Sequence, residues 1–247
     1  MSGPMVPVER PKRPVRTPGN PRGLKDLPFP VDPATPSEKR RAKRIFDLLT
    51  EAYPDADCEL DFSAPHELLI ATILSAQSTD AGVNRATPGL FAAFPEPTDY
   101  AAATPKKIEP YIKTIGLFRN KAKAIHSSMK DVVERYDGRV PTTVDKLLTL
   151  RGVARKTAGV VLGEAYGIND CFVVDTHVTR LATRLGFVEE GTTVAMIERR
   201  MMSLVPRKDW RIACHRLIFH GRRACSARGV CEHPICKRYC SNAAGRG

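Results

Sequence analysis

The stretch LTLRGVARKTAGVVLGEA, Leu148 to Ala165, decides how the chain is read. An apolar helical pattern, TVDKLLTL, closes just before Arg151, and a second, RKTAGVVLGEAYG, opens after Ala154. Between them Arg151, Gly152, Val153 and Ala154 form a short turn whose glycine lets the backbone pass close to a neighbour. The N–H groups that open the second helix have no partner within it, so a turn of this kind binds anions, phosphate first. A plain corner between two helices is the other reading of the same residues. Lys156, one residue into the second helix, sharpens the first.

Outward from this turn the pattern stays helical. TPSE supplies Thr35 as N-cap, Pro36 at the first helical position and Glu38 to close a capping box, ahead of Ile45, Leu48, Leu49 and Ala52 at helical spacing. PHELLIATILSAQ reads as one apolar helix, and Thr79 or Asp80 caps the next. TPKKIEPYIKTIG stops at Gly116, and RNKAKAIHSSMKDVVERYDG is amphipathic and ends in glycine. The only strand-like run, CFVV at 171–174, is too short and isolated to seed a sheet. The fold class is all-α.

The charge narrows the partner. With 39 Lys and Arg against 27 Asp and Glu, the chain carries +12, which favours a polyanion, nucleic acid before membrane. No apolar run approaches the roughly 20 residues that span a bilayer. Ten of the 20 prolines lie in the first 36 positions, so residues 1–34 read as a disordered basic tail. That tail lacks the apolar stretch of a secretory signal, and the expected location is the cytoplasm, on the nucleoid if the source is bacterial. Thiols stay reduced there, so seven cysteines call for a reason other than disulfides.

Three sets of residues carry candidate chemistry. An amine used as a nucleophile must be held neutral, and burial is the strongest means of doing so. Val153, Ala158, Val160 and Val161 are apolar and place Lys156 beside an expected interior; a solvated lysine next to Arg155 is the plain alternative. Asp175, directly after the apolar run and before a helical pattern, reads as an N-cap, and a cap fixes the carboxylate for catalysis as well. Cys225, Cys231, Cys236 and Cys240 are separated by five, four and three residues. Four thiolates in so short a span suit zinc or an iron–sulfur cluster. The spacing has no CxxC knuckle and favours [4Fe–4S], with zinc as the alternative. Arg222, Arg223, Arg228, Lys237 and Arg238 surround them as a phosphate-binding or simply solvated face. Cys58, Cys171 and Cys214 lie apart and read as core residues.

In order along the chain, LSAQSTD, YIKTIGLFRNKA, RGVARKTAGVVL, VVDTH and HGRRAC resemble the endonuclease III family, bifunctional DNA glycosylases of the helix–hairpin–helix superfamily. The similarity runs from about residue 36 to 240. It implies a helical barrel over 58–168 that carries the hairpin, and an iron–sulfur cluster domain from 35–57 with 169–247. Lys156 falls on the family's Schiff-base nucleophile and Asp175 on its essential aspartate. Gln77 and Leu117 match residues that enter damaged double-stranded DNA and fill the space of the extruded base. The hairpin residues Arg151, Gly152, Val153 and Ala154 match its DNA contacts, and the four cysteines its cluster ligands. The activity implied is removal of oxidised pyrimidines followed by β-elimination at the abasic site, by a monomer.

The hairpin departs from the family's usual Leu-Pro-Gly-Val-Gly: Arg151 stands for proline and Ala154 for the second glycine. Ala154 is therefore expected to be strained if its position needs a positive φ. The cysteine gaps also depart from the family's usual spacing. Two rival readings remain. A monofunctional adenine-type glycosylase predicts no lysine at 156 and an added C-terminal domain, for which the residues after Cys240 leave no room. A non-catalytic DNA-binding module with a metal loop accounts for charge and cysteines but not for Lys156 with Asp175.

Overall fold

Thr35 starts the first helix by the device its sequence announces. In the computed structural model, which describes residues 31–228 and 231–240, its hydroxyl accepts from the Glu38 N–H while the Glu38 carboxylate accepts from the Thr35 N–H at 2.8 Å. Pro36 occupies the first helical turn of α1 (Pro36–Ala52). The described residues contain twelve α-helices, one 3-10 turn and no strand. The expected tail lies, up to residue 30, outside the described residues; Val31 and Ala34 already pack on a core. Among the described residues no helix is long and apolar enough to cross a membrane.

The chain divides into two compact units. The first, Glu59–Thr157, holds α2 (Pro65–Ser75), α3 (Asp80–Ala93), α4 (Pro97–Ala102), α5 (Pro105–Ile112), α6 (Phe118–Tyr136) and α7 (Val144–Leu148). Every residue of α2 from Leu68 to Leu74 is buried, as a helix apolar on all sides must be. Thr79 caps α3 by accepting from the Gly82 N–H at 3.1 Å. α6 is the element on which α2, α4 and α5 pack. Its buried stripe, Lys121, Ile125, Ser128 and Val132, repeats at helical spacing and includes two polar residues.

The second unit comprises the described residues up to Cys58 and from Ala158 onward. It holds α1, most of α8 (Arg155–Tyr166), α9 (Thr176–Arg184), α10 (Val194–Leu204), a 3-10 turn (Arg207–Asp209), α11 (Trp210–Arg223) and α12 (Pro234–Tyr239). The core gathers Ile45 and Leu49, Leu181 and Leu185, Met201, Trp210 and Leu217. The 171–174 run enters it as irregular chain, with Phe172 and Val174 buried. Glu164, 3% exposed on α8, accepts from His215 Nε2 at 2.6 Å and from Arg211 Nη1 at 3.2 Å. Arg211 also reaches Asp57 at 2.7 Å. Such a buried carboxylate is tolerable only because it is paired on both sides.

Candidate functional site

The hairpin is built from the first unit's own core. Thr143 caps α7, and the turn 149–154 leads into α8. Gly152 has φ +82°, and a Cβ there would stand 3.1 Å from Ala124 Cβ and 3.6 Å from Ile73 Cγ2. The neighbour that demands glycine is thus the protein's own α2 and α6. Val153 is buried and anchors the turn, while Arg151, Gly152 and Ala154 are exposed. The Ser128 hydroxyl, on the buried stripe of α6, donates to the Arg151 carbonyl at 2.6 Å. Ala154 is not among the described residues with positive φ, so the strain expected of an alanine at this position is absent.

Lys156 lies in the first turn of α8 and is exposed. The apolar neighbours do not bury it. Burial begins at Thr157 and Ala158, and Lys156 stands before it in the open first turn, next to exposed Ala154. The interior expected to desolvate this amine is therefore not supplied by the protein. Asp175 is half-buried and does cap α9: its Oδ1 accepts from the Val178 N–H at 2.8 Å. Gln77 and Leu117 are both exposed, Leu117 at 62%, and both have φ +57°, the left-handed region that non-glycine residues avoid.

The four candidate cysteines converge in the second unit. Cys225, Cys231 and Cys236 are buried and Cys240 is half-buried. The sulfurs of the first three lie within 4.8 Å of one another and of a His220 ring nitrogen. Hydrogen bonds from the Cys236 and Cys240 thiols, and from Arg184, favour the Cys225 thiolate. The chemistry of the donor set fits a soft metal: thiolates select zinc and iron–sulfur clusters. This is a metal-cofactor site. The Asp57, Glu164 and His215 group is also compact, but the Arg211 guanidinium already occupies its carboxylates. Cys58, Cys171 and Cys214 are buried, and burial pushes the Cys214 thiol well up.

Several residues around these sites were missed. Arg184 Nη1 donates to Cys225 Sγ at 3.1 Å and to the Ser226 carbonyl at 2.7 Å, and Arg180 Nη2 donates to the Gly221 and Cys225 carbonyls at 2.8 Å. Tyr53 O–H lies 2.9 Å from His220 Nδ1, and His220 Nε2 lies 3.2 Å from Cys236 Sγ. Burial first, and then His233, lowers the His220 pKa to about 4. A neutral ring that accepts from Tyr53 keeps its N–H for the sulfur. Tyr53 follows α1 and Arg180 and Arg184 lie on α9, too far away in sequence for any local spacing to reveal. His220 on α11, by contrast, stands five positions before Cys225. Lys121 and Ser128 did carry a signal, since both stand in phase with the apolar residues of α6.

The chain matches the HhH-GPD superfamily of base excision DNA repair proteins over residues 70–207. It is 47% identical to endonuclease III of Synechocystis sp. over 200 residues, covering 81% of this chain and 89% of that one. With endonuclease III of Bacillus subtilis it shares 46% over 181 residues, covering 73% and 82%. A trapped endonuclease III–DNA covalent intermediate superposes with a TM-score of 0.78 at 40% identity, covering 82% of this chain and 95% of that chain. The hairpin and the exposed lysine after it lie within residues 70–207, which the family model matches. The chain belongs to the endonuclease III family, the base excision repair glycosylases of the HhH-GPD superfamily.

Proposed function

We propose that the protein removes oxidised pyrimidines from duplex DNA with Lys156 as nucleophile and cuts the strand at the resulting abasic site. The observation that carries this reading is the exposed amine of Lys156 in the first helical turn after a glycine hairpin. Arg151, Gly152 and Ala154 offer backbone and charge to a phosphate while Val153 holds the turn in place. Gln77 and Leu117 occupy the gap left by the extruded base, whose unstacking costs a few kcal/mol. The Lys156 nitrogen then bonds to the sugar C1′ as the glycosidic bond breaks, and its electron pair leaves with the base. Asp175 stabilises the positive charge that develops on the sugar. The nitrogen gives up a proton to the departing base. The C1′–O4′ bond then breaks with O4′ taking a proton, so the opened sugar carries a protonated C1′=N that acidifies C2′–H. Loss of that proton expels the 3′ phosphate, and hydrolysis of the imine returns the amine.

The pocket of Cys225, Cys231, Cys236 and Cys240 would hold a [4Fe–4S] cluster, which supplies a rigid body around which the basic loop is wound. The lack of a CxxC knuckle supports it over zinc. Iron content with broad visible absorption is expected; a colourless protein with one zinc would replace the cluster assignment. A duplex carrying one oxidised thymine tests the activity. The expected products are the free base and a strand cut at that position. Base release without any cut would favour the monofunctional reading, and binding alone would favour the non-catalytic one.

A further inference from the structure

Gln77 and Leu117 share a conformation that costs an L-residue about 1–2 kcal/mol and persists only where the surroundings impose it. Their own side chains are exposed and do not impose it. Lys121 is placed to do so. It is 7% exposed, on the buried stripe of α6. Its ammonium donates to the Leu74 carbonyl at 2.8 Å, the Ala76 carbonyl at 2.6 Å and the Ser78 hydroxyl at 3.1 Å. These three acceptors match the three donors of an ammonium, and they flank Gln77 on both sides. The backbone N–H of Lys121 meanwhile donates to the Leu117 carbonyl at 3.0 Å. One residue thus bonds the loop on either side of Gln77 and the carbonyl of Leu117.

Packing alone gives no reason for a lysine here. Burial pushes its pKa down, so the charged form is held at a cost. A methionine would fill the same space without that cost. What only a lysine of this length supplies is three bonds to the 74–78 segment, the end of α2 and the loop that follows it before α3. A loop fixed before the duplex arrives does not have to be ordered during base extrusion.

We propose that Lys121 is a positioning residue that clamps the 74–78 loop to the start of α6 and so presents Gln77 and Leu117 as one preorganised wedge. The proposal rests on the reading that these two side chains enter the duplex. It assigns Lys121 to extrusion of the base and not to the bond-breaking steps that follow.

The test uses the full chain with its metal and two duplexes, one with an oxidised thymine and one with a preformed abasic site, which has no base to extrude. The readout is the ratio of single-turnover base excision to cleavage of the abasic site. Inactive protein lowers both rates together and leaves this ratio unmoved. Lys121→Met should lower it by about tenfold or more, and 2-aminopurine fluorescence beside the lesion should report less base opening. Ser78→Ala removes one of the three bonds and should lower the ratio by about threefold. A wild-type ratio in Lys121→Met overturns the clamp, as does a wild-type ratio in Ser78→Ala if the methionine variant does not fold. Gln77→Ala and Leu117→Ala are measured alongside. If they lower the ratio and the Lys121 and Ser78 variants do not, the clamp alone fails. If they leave it unchanged, the wedge reading fails first.

Discussion

Replacing Gly152 by alanine tests whether the hairpin is locked to the protein's own interior. The φ of +82° puts any L-residue in the left-handed region, at about 1–2 kcal/mol. The new methyl would also stand 3.1 Å from Ala124 Cβ, inside the 3.5–4.0 Å at which carbon atoms attract. Ala124 lies on α6 and Ile73 on α2, both buried, so relief requires a shift of packed helices. Overpacking of this kind costs about 1–3 kcal/mol, and the low end applies because a few tenths of an ångström suffice. The two effects together come to about 2–4 kcal/mol. With a urea slope of about 2 kcal/mol per molar, the unfolding midpoint should fall by about 1–2 M. Ala154→Gly is the control. Its position has no left-handed φ, so glycine there relieves nothing and should cost about 0.4–1 kcal/mol through the unfolded chain. An unshifted midpoint for Gly152→Ala, or a stabilised Ala154→Gly, would refute this account of the turn.

Two further predictions concern the second unit. The Thr35 backbone N–H, the Arg200 guanidinium and the Thr35 hydroxyl hold the Glu38 pKa down, to about 2 against an ordinary 4.5. A depressed carboxylate stabilises the fold above its unfolded pKa and loses that contribution as pH falls through the folded one. The Tm gap between wild type and Glu38→Gln should therefore be widest near pH 7 and close between pH 4.5 and 2; a gap that persists at pH 2 would contradict the assignment. Arg184→Ala removes the donors that reach Cys225 Sγ and the Ser226 and Ala227 carbonyls. Loss of such outer support typically weakens metal retention by about 10–100-fold. Dialysis against a chelator with metal analysis measures it, and wild-type retention would remove Arg184 from that role.

What could be read from the sequence was mostly local. Thr35, Thr79 and Asp175 are caps because a short oxygen-bearing side chain sits just before a helical pattern, and all three cap as expected. Gly152 was legible as a special backbone position, although what crowds it was not. Lys156 shows where local reading fails: its neighbours are apolar and α8 is buried from Val161 to Ala165, yet 156 stands in the first turn, beside exposed Ala154. The short helices α4 and α12 were missed because six residues give too little periodicity to detect. Arg180, Arg184 and Tyr53 meet the cysteine pocket from distant parts of the chain, where no spacing rule reaches. Lys121 stood in plain view on the apolar stripe of α6. A charge in phase with Ile125 and Val132 has to find partners somewhere, and it finds them in the 74–78 loop.

Borohydride reduction during reaction with abasic DNA tests the central claim most directly, because it converts an imine between protein and sugar into a stable bond. Wild-type protein should be captured as a covalent protein–DNA species whose modified peptide contains Lys156, and Lys156→Ala should yield none while still binding the duplex. Equal capture from the alanine variant, or no capture from wild type at saturating DNA, would contradict the assignment of the nucleophile.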